Sequence, residues 1–172
     1  LGLAPTSSTT ATLVLGDILA VALLERKGFT KTDFNRRHPG GKLGSFLMKV
    51  SELMHKGNEM PLVPETATMQ EALLEMTSKM LGCVGITDTG GHLKGIITDG
   101  DLRRKMSNDI LNKNAAEVMT PNPKTTVPDI LAAEALKIMN STGKGITMLF
   151  VIENDKPVGI IHMHDCLRAG VA

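Results

Sequence analysis

Tryptophan and tyrosine are absent from this 172-residue chain, and phenylalanine occurs only four times. Proteins that read single-stranded nucleic acid stack bases on aromatic platforms, and this composition supplies none. An excess of one charge is also lacking: 19 Lys and Arg stand against 18 Asp and Glu, a net charge of +1. No basic field is available to hold a phosphate backbone. The only cysteines, Cys83 and Cys166, have no metal-ligand spacing around them. Both read as reduced, structural thiols, and no metal site is expected. Positions 1–10 lack the basic start of a signal peptide. The most apolar run, Ala11–Leu24, reads as too short to span a bilayer and contains Gly16 and Asp17. A soluble, cytoplasmic protein is expected, with neither membrane nor nucleic acid as partner. The chain starts at Leu1 instead of Met, which suggests a piece of a longer polypeptide.

What is present fits a packed globular chain, long enough for one ordinary domain or two small ones. Apolar residues make up 42%, enough for a core. The 11 methionines read as adaptable core filler. Thr6–Thr10 offers hydroxyl N-caps for a helix over about Ala11–Lys27, closed by Gly28. That helix is apolar almost all round, as helices inside a larger body are. A short helix near Thr32–Arg37 stops before the turn His38-Pro39-Gly40-Gly41, and another helical turn or two fits Lys42–Lys49.

From Ser51 onward the pattern is said twice. SELM (Ser51–Met54) precedes a strand at Pro61–Val63. A helix capped by Thr68 follows, with Ala72, Leu73, Met76 and Met80 on its apolar face, and Gly82 ends it. Strands Cys83–Thr87 and Leu93–Thr98 come next, then a helix capped by Asp99. AEVM (Ala116–Met119) starts the second round, followed by a strand at Thr125–Val127 and a helix at Ile130–Asn140. Strands Ile146–Ile152 and Val158–His162 and a helix at Met163–Ala169 complete it. Met54 to Met119, the Glu-Ala-Leu triplets at 71–73 and 134–136, and Asp101 to Asp165 all repeat at an offset of about 64. One phase kept over that distance marks a duplicated unit.

The two copies end alike, GIITDGD (95–101) and GIIHMHD (159–165). If the copies fold back on each other, the two corners face a shared cleft. A strand-end Thr98 and a first-turn Asp101 suit a nucleotide: the carboxylate accepts a ribose diol and the hydroxyl donates to phosphate. The same residues also serve a helix start with no ligand at all. The second copy, with Asp165 in place, favours binding.

These repeats resemble a pair of cystathionine-β-synthase-type (CBS) domains, through SELM, AEVMTP, the central E-A-L helices and the G-h-h-T-x-x-D ends. The resemblance implies an α/β (α+β) fold, a tandem CBS-domain pair binding adenosine-type nucleotides between its sheets. Thr98 and Asp101 carry the family pattern. In the second copy Asp165 matches, but His162 replaces the hydroxyl. That site is lost, prefers another ligand, or takes an anionic group; a half-buried strand-end histidine is the plain alternative. His164 reads as a solvated residue at a helix start.

The N-terminal PTSSTT and HPGG segments resemble the last part of the sugar isomerase (SIS) domain of arabinose 5-phosphate isomerases, and HMHDCLRAGVA resembles that family's C-terminus. The implied organisation is the end of a SIS α/β domain at 1–48, a first CBS domain at 49–108 and a second at 109–172. The family interconverts ribulose 5-phosphate and arabinose 5-phosphate on the way to the Kdo sugar of lipopolysaccharide. It makes His38 an acid/base residue of the parent enzyme. The phosphate loop and carboxylate bases of a SIS domain are not in this sequence, so the chain alone is expected to be inactive. No cofactor is required. The expected partner is a small-molecule nucleotide effector, CMP-Kdo or CMP by pathway logic and AMP or ATP by fold habit. Arg103, Arg104 and Lys105 stand nearby, the last two reading as solvated charges. Homodimers through the CBS pair and a tetrameric parent enzyme are implied. The alternative is a structural dimerisation module that binds nothing.

Overall fold

The computed structural model describes residues 4–30, 33–34, 42–107, 109–141 and 145–171. The chain divides into two units, 1–44 and 45–172, and each is described by itself.

The first unit is dominated by helix α1 (Thr6–Arg26), on which no residue is buried. The helix starts earlier than the hydroxyl-rich segment predicts. Pro5 is the N-cap, and Ser8, Thr9, Thr10 and Thr12 turn their hydroxyls back to carbonyls three or four residues earlier. Those side chains therefore serve the helix interior rather than its cap. Lys27 and Gly28, the latter at φ 60°, close it as expected. At 21 residues, α1 is long and apolar enough to cross a membrane by length and composition. It passes that test through its full length, which exceeds the apolar run Ala11–Leu24, and the core helix of a soluble protein passes the same test. His38 and most of the predicted Thr32–Arg37 helix lie outside the described residues.

After α2 (Lys42–Phe46) and α3 (Val50–Leu53), the second unit runs β1 (Leu62–Pro64), α4 (Met69–Lys79), β2 (Cys83–Thr87), β3 (Leu93–Thr98) and α5 (Asp99–Lys105). The second round gives α6 (Ala115–Val118), β4 (Thr120–Pro121), β5 (Thr125–Thr126), α7 (Ala132–Asn140), β6 (Met148–Glu153), β7 (Lys156–His162) and α8 (Met163–Arg168). One sheet has the order β1-β2-β3-β4 and the other β5-β6-β7. In each, the first strand pairs parallel to the second, which pairs antiparallel to the third.

Thr68 caps α4 through a capping box: its hydroxyl oxygen accepts the Glu71 N–H at 3.3 Å, and its own N–H donates to Glu71 at 2.8 Å. The helix ends at Met80, not at Gly82. Met80 takes the left-handed conformation at φ 55° and is exposed, leaving Met69, Ala72 and Met76 as the buried face.

The two halves exchange their leading segments. Val50 of α3 lies in the core of the second half, with Ala132, Ala135, Met139, Leu149 and Ile161. Ala115 and Val118 of α6 lie in the core of the first, with Met69, Ala72, Ile86 and Ile97. Backbone hydrogen bonds seat each leader on the start of the other half's helix. The Val50 N–H donates to Ile130 O and the Ala132 N–H to Met48 O; the Ala115 N–H donates to Ala67 O and the Met69 N–H to Lys113 O. The leaders then reach the foreign sheet edge, where Thr120 pairs with Ile96 and His55 with Ile160. Met119 packs over Gly95 and Met54 over Gly159, where a Cβ would collide with the thioethers. A third cluster, Cys83, Met148, Phe150 and Ile160, takes one buried strand residue from the first sheet and three from the second.

Candidate ligand-binding site

The first corner is the junction of β3 and α5. Thr98, opposite Cys83 in the sheet, ends the strand in extended conformation and is the N-cap of α5, a role the sequence assigns to Asp99. Its hydroxyl oxygen accepts the Asp101 N–H at 3.1 Å. The Thr98 N–H and O–H both donate to Asp101 Oδ2, at 3.0 and 2.7 Å. Asp101 Oδ1 accepts from Arg104 Nη2 at 2.8 Å and from Thr120 Oγ1 at 3.0 Å. A carboxylate offers about four acceptor positions, and the protein's own donors fill them. Burial pushes the Asp101 carboxyl up, but the hydrogen bonds from Thr98, Arg104 and Thr120 outweigh it and hold the group below the ordinary value.

The second corner joins β7 to α8. His162 lies opposite Met148 and caps the helix by accepting the His164 N–H on Nδ1 at 3.2 Å. Asp165 does not close a capping box. Its Oδ2 meets His55 Nε2 at 2.9 Å and its Oδ1 meets Arg168 Nη2 at 3.3 Å. His55 Nδ1 lies 3.3 Å from Glu59, so both ring nitrogens of His55 face carboxylates. The His162 and His164 rings stand 4.7 Å apart. Burial, reinforced by the charge of His164, pulls the His162 imidazole below the ordinary histidine value, against the pull of Asp165.

The corners are built alike. Each Asp holds an Arg three residues on and a donor from the other half's leader, Thr120 in one and His55 in the other. Those donors occupy equivalent positions, each just after the repeated Met. The sequence reading overlooked both, although the offset that pairs Met54 with Met119 also pairs His55 with Thr120. Arg104 and Lys105 are exposed, as the sequence predicts, but each also makes hydrogen bonds at the corner. Arg104 binds Asp101, and Lys105 Nζ donates to the carbonyls of Val118 and Met119 at 2.6 and 3.3 Å.

Thr98 and His162 are thus brought to one seam, since Cys83 and Met148 beside them share a buried cluster. Two surface recesses, one along α1 and one beside β1 and α4, include no corner residue. Among the described residues no group of three or more His, Cys, Asp or Glu is placed to hold a metal. Both cysteines are free and buried. Burial, with a smaller contribution from Asp99, pushes the Cys83 thiol up to about 12. Burial and Asp165 push Cys166 to about 11. Neither thiol is a nucleophile at neutral pH.

The CBS domain model matches residues 50–108 and 115–172. The chain belongs to the CBS domain family. Solved structures share the fold: a putative acetoin utilization protein (AcuB) from Vibrio cholerae is 24% identical, with a TM-score of 0.62 over 73% of this chain and 91% of that one. CBSX2, solved in complex with AMP, is 21% identical, with a TM-score of 0.61 over 72% and 96%. Curated relatives include the arabinose 5-phosphate isomerase KdsD of Escherichia coli (strain K12), 53% identical over 99% of this chain. KdsD of Yersinia pestis is 52% identical over the same share. The chain spans about half, 52%, of the length of these relatives.

Proposed function

We propose that this CBS pair is the nucleotide-sensing regulatory part of a D-arabinose 5-phosphate isomerase of the Kdo pathway, a cytoplasmic enzyme. The observation that carries the reading is the 52–53% identity to KdsD, which runs through both CBS copies and the segment before them. The parent enzyme moves a proton between adjacent carbons to interconvert ribulose 5-phosphate and arabinose 5-phosphate, with His38 among its site residues. The chain alone lacks that activity. The parent is a tetramer and the CBS pair forms dimers.

The first corner is the sensor. Thr98 offers its hydroxyl to phosphate and Asp101 its carboxylate to the ribose diol. The effector is a cytidine nucleotide such as CMP-Kdo, the activated end product. An adenine nucleotide, as in the CBSX2 complex with AMP, is the rival. Asp165 and His162 form the second, divergent corner. Calorimetric titration with CMP-Kdo, CMP and AMP tests this. The expected result is binding of a cytidine nucleotide that Asp101→Ala weakens at least tenfold; binding of AMP alone removes the feedback role.

A second reading, a structural dimerisation module without ligand, is favoured by one observation. Asp101 is already saturated by donors of the chain itself. No heat with any nucleotide, together with a stable dimer in sedimentation, selects it.

A further inference from the structure

The four donors on Asp101 are not equal. Two come from Thr98, fixed by the capping box, and one from Thr120, fixed by the β3–β4 pairing. The fourth is the guanidinium of Arg104, whose side chain is 70% exposed while that of Asp101 is 7% exposed. Arg104 folds back over the helix start. A Cβ on Gly100 would sit 3.2 Å from its Nη1 and 3.6 Å from the Thr98 hydroxyl. The guanidinium thus covers the outward side of Asp101 and stands beside Thr98.

We infer that Arg104 is a ligand-exchanged gate at the first corner: it holds the diol seat on Asp101 Oδ1 when the corner is free and becomes the phosphate partner when a 5′-phosphorylated ribonucleoside takes that seat. The inference rests on the nucleotide-sensing reading and adds the residue that selects for the phosphate. A diol hydroxyl replaces one donor on Oδ1, and the exposed arginine is the one that leaves at least cost. Its stem keeps it within reach of the corner. A guanidinium released from one anion matches phosphate geometry well. A nucleoside displaces the arginine and gives it nothing in return; a nucleotide supplies a new anion. Discrimination between the two is therefore set at Arg104.

Paired titrations of the whole 172-residue chain test this, with CMP against cytidine and AMP against adenosine. The wild type is expected to prefer the nucleotide by at least tenfold. Arg104→Gln is expected to bind the nucleoside more tightly than wild type and to narrow the preference to within about threefold. Arg168→Gln, the matching change at the second corner, is expected to leave the ratio as in wild type. Since both arginines are exposed, circular dichroism should confirm an intact fold. Wild-type binding with an unchanged ratio in Arg104→Gln overturns the gate but leaves the nucleotide sensor standing. A ratio that shifts in Arg168→Gln instead moves the site to the second corner and also overturns it. No binding of any probe to wild type or variants overturns both readings.

Discussion

Single residues decide how far the two copies have diverged. Val63 in β1 packs into the first core, and the matching strand position in β5 is Thr126. Thr126 is 5% exposed, and its hydroxyl has no partner among the described residues. A buried hydroxyl without a partner costs about 1–3 kcal/mol. Thr126→Val keeps the shape and removes the hydroxyl, so the variant should gain about 1 kcal/mol and melt a few degrees higher in calorimetry. His162 makes a different prediction. Its pKa in the folded state lies below that of the unfolded chain. The unfolded state therefore binds the proton first as pH falls through about 6.5. Stability contributed by His162 is complete above that pH and declines below it. Proton NMR should show His162 titrating below the ordinary histidine range, and His162→Gln should flatten the loss of stability between about pH 6.5 and 5. A titration at or above 6.5 would refute the assignment.

At the scale of elements, the helix starts carry the clearest local code. The Thr68–Glu71 box holds α4 with three hydrogen bonds. Thr68→Ala should cost about 1 kcal/mol, read as a lower urea midpoint with an unchanged slope. This box and strands Cys83–Thr87 and Leu93–Thr98 are legible in the sequence, because residues within four positions or a simple alternation determine them. Three features are not. The two-residue β4 exists only because Thr120 meets Ile96 of the other half, and no local pattern announces such a pairing. The end of α4 at Met80 breaks the preference for glycine in the left-handed region. The state of Asp101 depends on Thr120, nineteen positions away. A sequence reader sees an available carboxylate where the fold has already filled one.

For the whole molecule, the seam between the sheets rests on a size complement that the duplication itself made possible. Gly85 and Phe150 occupy equivalent places in β2 and β6. A Cβ on Gly85 would lie 2.6 Å from the Phe150 ring and 2.8 Å from Leu62. The ring fills the space that the glycine leaves and is fully buried. Phe150→Ala should cost about 3–5 kcal/mol and, because the seam belongs to both halves, lower one cooperative transition. Separate melting of the halves by calorimetry would contradict that expectation. Gly85→Ala should destabilise as well, through overpacking.

The exchanged leaders have a topological consequence. The segments that join the halves do more than tether them: Ile110 is buried in the first core and Pro61 is fully buried beside β1. They also raise the effective concentration of each leader for the groove that receives it. A second copy of the chain offers an identical leader for an identical groove, so the exchanged contacts are ones that two chains could also make with each other. Opening one link and closing it on a neighbour would give an entangled pair with the same cores, the same corners and the same seam. The balance between the two forms would be set by the chain concentration weighed against that effective concentration and the geometry of the linking segments.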